Sequence, residues 1–166
     1  MRVLGLDPSS RSTGFGLVES RGEEYVVLGW GTIKPGRSLD LAQRVNAIRE
    51  QVDGLIVQHR PEEAAIENPF YAQNIKTAIT LGQVRGALLV AIASRSLPLY
   101  EYSALEIKKA VTGYGQADKQ QVQGMVRALL HLTDDPLEED ASDALATAIC
   151  HLNSRSFQKT VEESSL

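Results

Sequence analysis

Three apolar, strand-like runs follow one another at the start of this chain with only short polar links between them, and that opening restricts its fold more than any other feature. Arg2–Asp7 and Thr13–Glu19 are joined by Pro8-Ser9-Ser10-Arg11-Ser12, where proline and serine, with Gly14 and Gly16 beyond, supply turn chemistry. Arg21-Gly22 turns the chain back into a third run, Tyr25–Ile33. Links this short suit antiparallel neighbours, because parallel strands need a crossover of about a dozen residues or more. A three-strand antiparallel meander is expected.

After Lys34-Pro35-Gly36 the pattern changes. Ser38 is placed to cap a helix whose Leu41, Val45, Ile48, Val52 and Leu55 recur at helical spacing, and Pro61 ends it. Ala64–Glu67 reads as a short, central strand, followed by a long helix from about Asn74 to Ser94 and a fifth strand, Leu97–Tyr100. Ser103 and Glu106 form a capping-box pattern, a helix runs from about Asp118 to Leu130, and Asp135-Pro136 opens the last, alanine-rich helix. The order predicts an α/β fold: a five-stranded mixed sheet, meander plus parallel strands, with helices on both faces. One domain over residues 1–157 is expected, with 158–166 as a frayed tail.

Four acids stand out against this frame. Asp7 closes the apolar run Val3–Leu6, and Glu67 closes Ala64–Ile66 in the same way. Asp140 and Asp143 lie three apart, on one face of the last helix. Carboxylates are seldom buried unless paired or holding a cation. The helix dipole would account for Asp140 and Asp143 alone, but not for acids at the ends of two buried strands. Hard oxygen ligands suit Mg²⁺ or Mn²⁺, and two such ions can drive in-line attack on a phosphodiester.

Composition sets the remaining bounds. At 166 residues, 43% of them hydrophobic, the chain suits one globular domain. One cysteine, Cys150, excludes an internal disulfide framework and a cysteine-built zinc site. An acid as early as Asp7 argues against a signal peptide, and the apolar stretch Gly86–Ala93 is too short to cross a bilayer, so a cytoplasmic protein without a membrane partner is expected. The net charge of −4 hides an uneven distribution. Between Tyr71 and Arg127 lie Lys76, Arg85, Arg95, Lys108, Lys109, Lys119 and Arg127 against Glu101, Glu106 and Asp118, whereas the chain after Ala128 is acidic. A basic middle permits a local cationic surface on an acidic protein; an ordinary solvated helix surface fits the same pattern.

The segment Gly5-Leu6-Asp7-Pro8-Ser9-Ser10-Arg11-Ser12-Thr13-Gly14-Phe15-Gly16 resembles the opening of the RuvC family of bacterial Holliday-junction resolvases. Ile66-Glu67-Asn68-Pro69-Phe70-Tyr71-Ala72-Gln73-Asn74 is similar to its second block, Tyr102 through Val126 to its third, and Asp140-Ala141-Ser142-Asp143-Ala144-Leu145-Ala146 to its fourth. The blocks cover nearly the whole chain in the right order; Ser9 departs from a frequent family glycine. The resemblance implies a ribonuclease H-like fold and a homodimer that cuts two strands of a four-way DNA junction beside a branch-migration motor. It makes Asp7, Glu67, Asp140 and Asp143 the catalytic acids and metal ligands. Members vary between an acid and histidine at the position of Asp140.

Four residues after Glu67 are candidate DNA contacts. Phe70 and Tyr71 could wedge or stack at the crossover, Phe70 matching a family residue that does so, although both would also suit a core. Gln73 and Asn74 could meet bases or phosphates, and Asn74 could equally cap the following helix. Lys108 and Lys119 match family lysines near the metals. Gly82 and Gly86 share a helix face and imply close approach by another element, either the sheet or the same helix of a second subunit. Another ribonuclease H-like nuclease, acting on a different branch or an RNA–DNA hybrid, fits the same acids. An ATP-binding protein of the actin–hexokinase type would need a second phosphate loop and a second domain, which the sequence lacks.

Overall fold

The computed structural model describes residues 1–9, 11–68, 74–133 and 135–163. Its elements are β1 (Arg2–Pro8), β2 (Thr13–Arg21), β3 (Glu24–Ile33), α1 (Leu41–His59), β4 (Glu63–Glu67), α2 (Ile75–Ser94), β5 (Leu99–Tyr102), α3 (Ala104–Thr112), α4 (Lys119–Leu129) and α5 (Glu139–Glu163). The sheet order is β3-β2-β1-β4-β5, with β1 antiparallel to β2 and parallel to β4, and β4 parallel to β5. β1, not β4, is therefore the middle strand.

Side chains alternate across the sheet and build a core on each face. Val3, Val18 and Ala65 pack under α3, α4 and α5 with Ile107, Val126, Leu145 and Ile149. Leu4, Leu6, Leu17, Ala64 and Ile66 pack under α1 and α2 with Ile48, Val52, Val84 and Leu88. The expected mixed sheet with helices on both faces is what the chain forms.

Several boundaries move for local reasons. Asp40, not Ser38, caps α1, because Gln43 stands three residues on and closes a reciprocal box with it. β5 begins only after Pro98, which follows a turn with Ser96 at φ 53°. The stretch before α5 stays non-helical past Pro136, whose carbonyl accepts from the Trp30 indole, while the Leu137 carbonyl accepts from Gln123 Nε2. At its other end α5 continues to Glu163, beyond residue 157.

Gly14 and Gly16 are not turn residues; they lie within β2. α2 also differs from expectation. Its apolar character extends over Ile75–Ser94, which makes it long and apolar enough to span a bilayer by length and composition, although it packs on α1 and the sheet. Its outer face carries Ile75 (80% exposed), Ile79 and Val90, and among the described residues no other element comes within 4 Å of a Cβ placed on Gly82 or Gly86. The sheet is not what those two glycines approach.

Candidate active site

The alternation that buries Val3 and places Gly5 against α5 sends Asp7 to the same face. On β4, Ala65 and Glu67 repeat the pattern, and the register Gly5–Ala65, Leu6–Ile66 leaves Asp7 and Glu67 as the next residues on adjacent strands. Neighbouring strands lie about 4.8 Å apart, so these two carboxylates are neighbours by construction.

A glycine floor brings α5 down onto them. A Cβ on Gly5 would lie 2.1 Å from the Ala144 carbonyl oxygen, one on Gly14 1.9 Å from that of Asp140, and one on Gly16 2.7 Å from Leu145 Cδ2. The register pairs Gly5 with Gly16 and Asp7 with Gly14, so the floor runs up to the acid. Only with hydrogen at these positions does the first turn of α5 settle beside the ends of β1 and β4. Asp140 and Asp143 ride on that turn.

The result is a cavity of about 430 Å³ lined by Asp7, Ser9, Glu67, Ile107, Lys108, Lys119, Val122, Glu139, Asp140 and Asp143. Its electrostatics are unfavourable as they stand. Burial, then Asp143, Glu67 and Asp140, push the Asp7 carboxyl up to about 8, and Lys119 only partly opposes them. Burial and Asp143 raise Glu67 against the pull of Lys119 and Lys108. Burial also raises Asp143, with Lys119 working against it and Asp140 adding to it.

All four sequence-derived acids thus meet, and they form a hard, all-oxygen donor set whose mutual repulsion a divalent cation would relieve. They are not drawn into a finished cage: among the described residues no three His, Cys, Asp or Glu side chains already converge on one ion position. The donor chemistry fits such a cation; ligand closure would accompany binding.

Two contacts at the rim go beyond the sequence reading. Ser12 Oγ donates to Asp140 Oδ2 at 2.5 Å, and Ser9 Oγ lies 2.9 Å from Ser12 Oγ while accepting from the Ser12 amide. The serine at position 9 therefore braces the turn that holds Asp140. Lys119 pairs with Glu139 and stands 4.0 Å from Asp143 Oδ2, so its charge is shared between acids. Nothing in the sequence singles out Ser12 or Glu139, because their partners come from distant segments.

Lys108 and Lys119 both line the cavity. Asn74 caps α2: its side chain accepts from the Thr77 amide at 2.8 Å, and the residue is exposed. Phe70, Tyr71 and Gln73 lie outside the described residues.

Residues 3–151 match the family model described as "Crossover junction endodeoxyribonuclease RuvC". The chain belongs to the RuvC family. Proteins so named from Geobacter sulfurreducens and Idiomarina loihiensis are 47% and 49% identical to it, over 93% and 92% of this chain and 93% and 87% of theirs. The structure of Thermus thermophilus RuvC in complex with a Holliday junction substrate superposes with a TM-score of 0.90 at 31% identity, covering 95% of this chain and 96% of that one. The yeast mitochondrial Holliday junction resolvase shares the fold, with a TM-score of 0.70 at 13% identity. The ribonuclease H-like architecture inferred from the sequence is the RuvC fold.

Proposed function

We propose that this protein is a metal-dependent endonuclease that resolves four-way DNA junctions by paired symmetric nicks during recombination and repair. One observation carries the reading: Asp7, Glu67, Asp140 and Asp143, from three separate segments, line one cavity with Lys108 and Lys119. Membership of the RuvC family and the likeness to a junction-bound relative support it.

Asp7, Glu67, Asp140 and Asp143 would hold the metal, two Mg²⁺ or Mn²⁺ ions per site in this reading. Asp7 would be the most rigidly placed of these ligands, because it sits on the middle strand between β2 and β4. Held by these residues, such a metal would supply Lewis-acid chemistry for hydrolysis of a phosphodiester. The chain's own part is to hold the carboxylates in register and to supply cations. Lys108 faces the cavity from α3 and Lys119 from the start of α4. An incoming phosphate would compete with Glu139 for Lys119, exchanging a surface ion pair of small net worth for a contact with DNA. Phe70, Tyr71 and Gln73 complete the DNA face in this reading, with Phe70 opening base pairs at the crossover. The capping contact of Asn74 makes it a structural residue first.

The same reading makes the protein a homodimer. Two nicks placed symmetrically on a near-twofold junction need two active sites related by a twofold axis. The outer face of α2, with Ile75, Ile79 and Val90 beside two open glycines, is the surface best suited to a second copy. Burial against a partner also accounts for an apolar helix without a bilayer, in keeping with a cytoplasmic protein. A branch-migration helicase complex is the partner the family resemblance adds.

The test is cleavage of a synthetic four-way junction with Mg²⁺, with Mn²⁺ and with chelator, against linear duplex and an RNA–DNA hybrid. Metal-dependent, paired cuts in the junction alone support the proposal. Equal or better cleavage of the hybrid would assign the site to another ribonuclease H-like activity.

A further inference from the structure

We propose that Arg85 is a positioning residue that sets Glu67 for metal binding by gripping its peptide from the opposite face of the sheet. The inference rests on the metal-dependent reading of the acidic cavity.

Arg85 lies within α2, on the far side of the sheet from α5, and its side chain is only 14% exposed. Nη1 donates to the main-chain carbonyl of Glu67 at 2.9 Å, and Nη2 pairs with Glu101 Oε1 on β5 at 2.7 Å. Both partners stand where the sheet ends. Glu67 is the last residue of β4, paired in register with Tyr102, the last of β5. The next amide, Asn68 N, donates to the Tyr102 carbonyl at 2.8 Å. The Glu67 peptide is thus fixed on one side by β5 and on the other by a guanidinium anchored to β5 through Glu101.

The direction in which a side chain leaves the backbone follows from the φ and ψ of its own residue, so a grip on the Glu67 carbonyl sets the root of that side chain without touching it. The cations whose charge reaches the Glu67 carboxylate are Lys119 and Lys108. Arg85 acts through the backbone instead. Its rigid fork serves two acceptors at once in a fixed geometry, which the single ammonium of lysine does not reproduce. Groups that orient metal ligands in this way contribute to affinity although they never meet the ion.

The experiment compares wild type with Arg85→Met, Arg85→Lys and Glu101→Gln by three measurements. These are Mn²⁺ binding followed by electron paramagnetic resonance without DNA, hydrogen exchange of the Asn68 amide without metal, and junction cleavage across a Mn²⁺ titration. Arg85→Met is expected to weaken Mn²⁺ binding about tenfold, to speed exchange at Asn68, and to regain cleavage as Mn²⁺ is raised. Arg85→Lys should fall between it and wild type, and Glu101→Gln should move the same readouts less. Wild-type affinity and exchange in Arg85→Met would overturn the proposal. If that variant does not fold, wild-type affinity in Arg85→Lys overturns it equally. A wild type that binds no Mn²⁺ and cleaves nothing would instead remove the metal-site reading itself; a wild type that does both, with variants unmoved, removes only the role of Arg85.

Discussion

Under α5, Gly5, Gly14 and Gly16 have backbone or side-chain atoms where a Cβ would stand, whereas a Cβ on Gly82 or Gly86 of α2 would meet no other element within 4 Å among the described residues. The first group is explained inside the chain: the glycines let a helix touch the sheet and so place Asp140 and Asp143 beside Asp7. The second group is not. A glycine in a helix interior costs roughly 0.8–1.0 kcal/mol relative to alanine, and α2 carries two with no close contact to another element among the described residues to offset them. A contact with a second copy would offset that cost, which is why the α2 face is the proposed seat of one. The same residue type lines the acidic cavity's floor on one side of the sheet and an open, apolar helix face on the other.

The largest effect should come where the α5 contact meets chemistry. Asp7→Asn is expected to abolish cleavage while leaving junction binding largely intact, since the charge that holds metal is lost and phosphate contacts elsewhere persist. Gel shift and cleavage on the same junction measure both. Near-normal cleavage would break the link between the glycine floor and the acids.

Gly14→Ala tests the floor itself. Its Cβ would meet the Asp140 carbonyl at 1.9 Å, so the start of α5 must move. Overpacking of this kind costs about 1–3 kcal/mol, and the upper end is expected because the obstacle is backbone. Cleavage should fall with it, since Asp140 and Asp143 ride on the displaced turn. Denaturant unfolding beside single-turnover cleavage reads both; an unchanged variant would show that α5 does not depend on the close approach.

Gly82→Ala sharpens the other half. In dilute protein it should raise stability, by up to about 1 kcal/mol, because the helix gains and a Cβ there crowds no other element among the described residues. At higher concentration it should weaken self-association, and Ile79→Lys should weaken it further without unfolding the subunit. Sedimentation across a concentration series decides the matter. Added stability with unchanged sedimentation in both variants would leave the α2 face without its proposed partner.

What is legible in the sequence follows the same division. The meander, the mixed sheet and the four acids rest on short-range signals: apolar runs, turn residues and an acid closing each run. Ser38 reads as the cap of α1 in place of Asp40 because the deciding partner, Gln43, is an ordinary polar residue until the box closes. The glycines of β2 read as turn residues because what demands them is a helix more than a hundred residues later. Ser12, Glu139 and the grip of Arg85 on Glu67 share that property, since each depends on a partner supplied by tertiary structure.

The smallest expected effect lies deeper along α5 and asks how far its burial extends. His151 is fully enclosed, two turns beyond Asp143. Its Nδ1 lies 2.7 Å from the Tyr102 hydroxyl and its Nε2 2.5 Å from Glu63 Oε2, while Arg155 pairs with the other Glu63 oxygen at 2.8 Å. A neutral ring protonated at Nε2 satisfies both contacts, donating to the carboxylate and accepting from the tyrosine. Burial holds the imidazole below its ordinary value of 6.5, with Glu63 working against that shift. Between the folded value and 6.5 the unfolded chain therefore binds the extra proton, and this group's contribution to stability is lost as pH falls through that window. The crowded acids act in the opposite direction without metal. Asp7 is raised to about 8, so the folded state holds its proton and stability falls as pH rises toward 8. Subtracting His151→Gln from wild type at each pH isolates the histidine. The difference in unfolding free energy should shrink between pH 7 and pH 5, by about 1.4 kcal/mol for every tenfold by which folding lowers the ring's proton affinity. A difference independent of pH would mean that the ring titrates alike in both states.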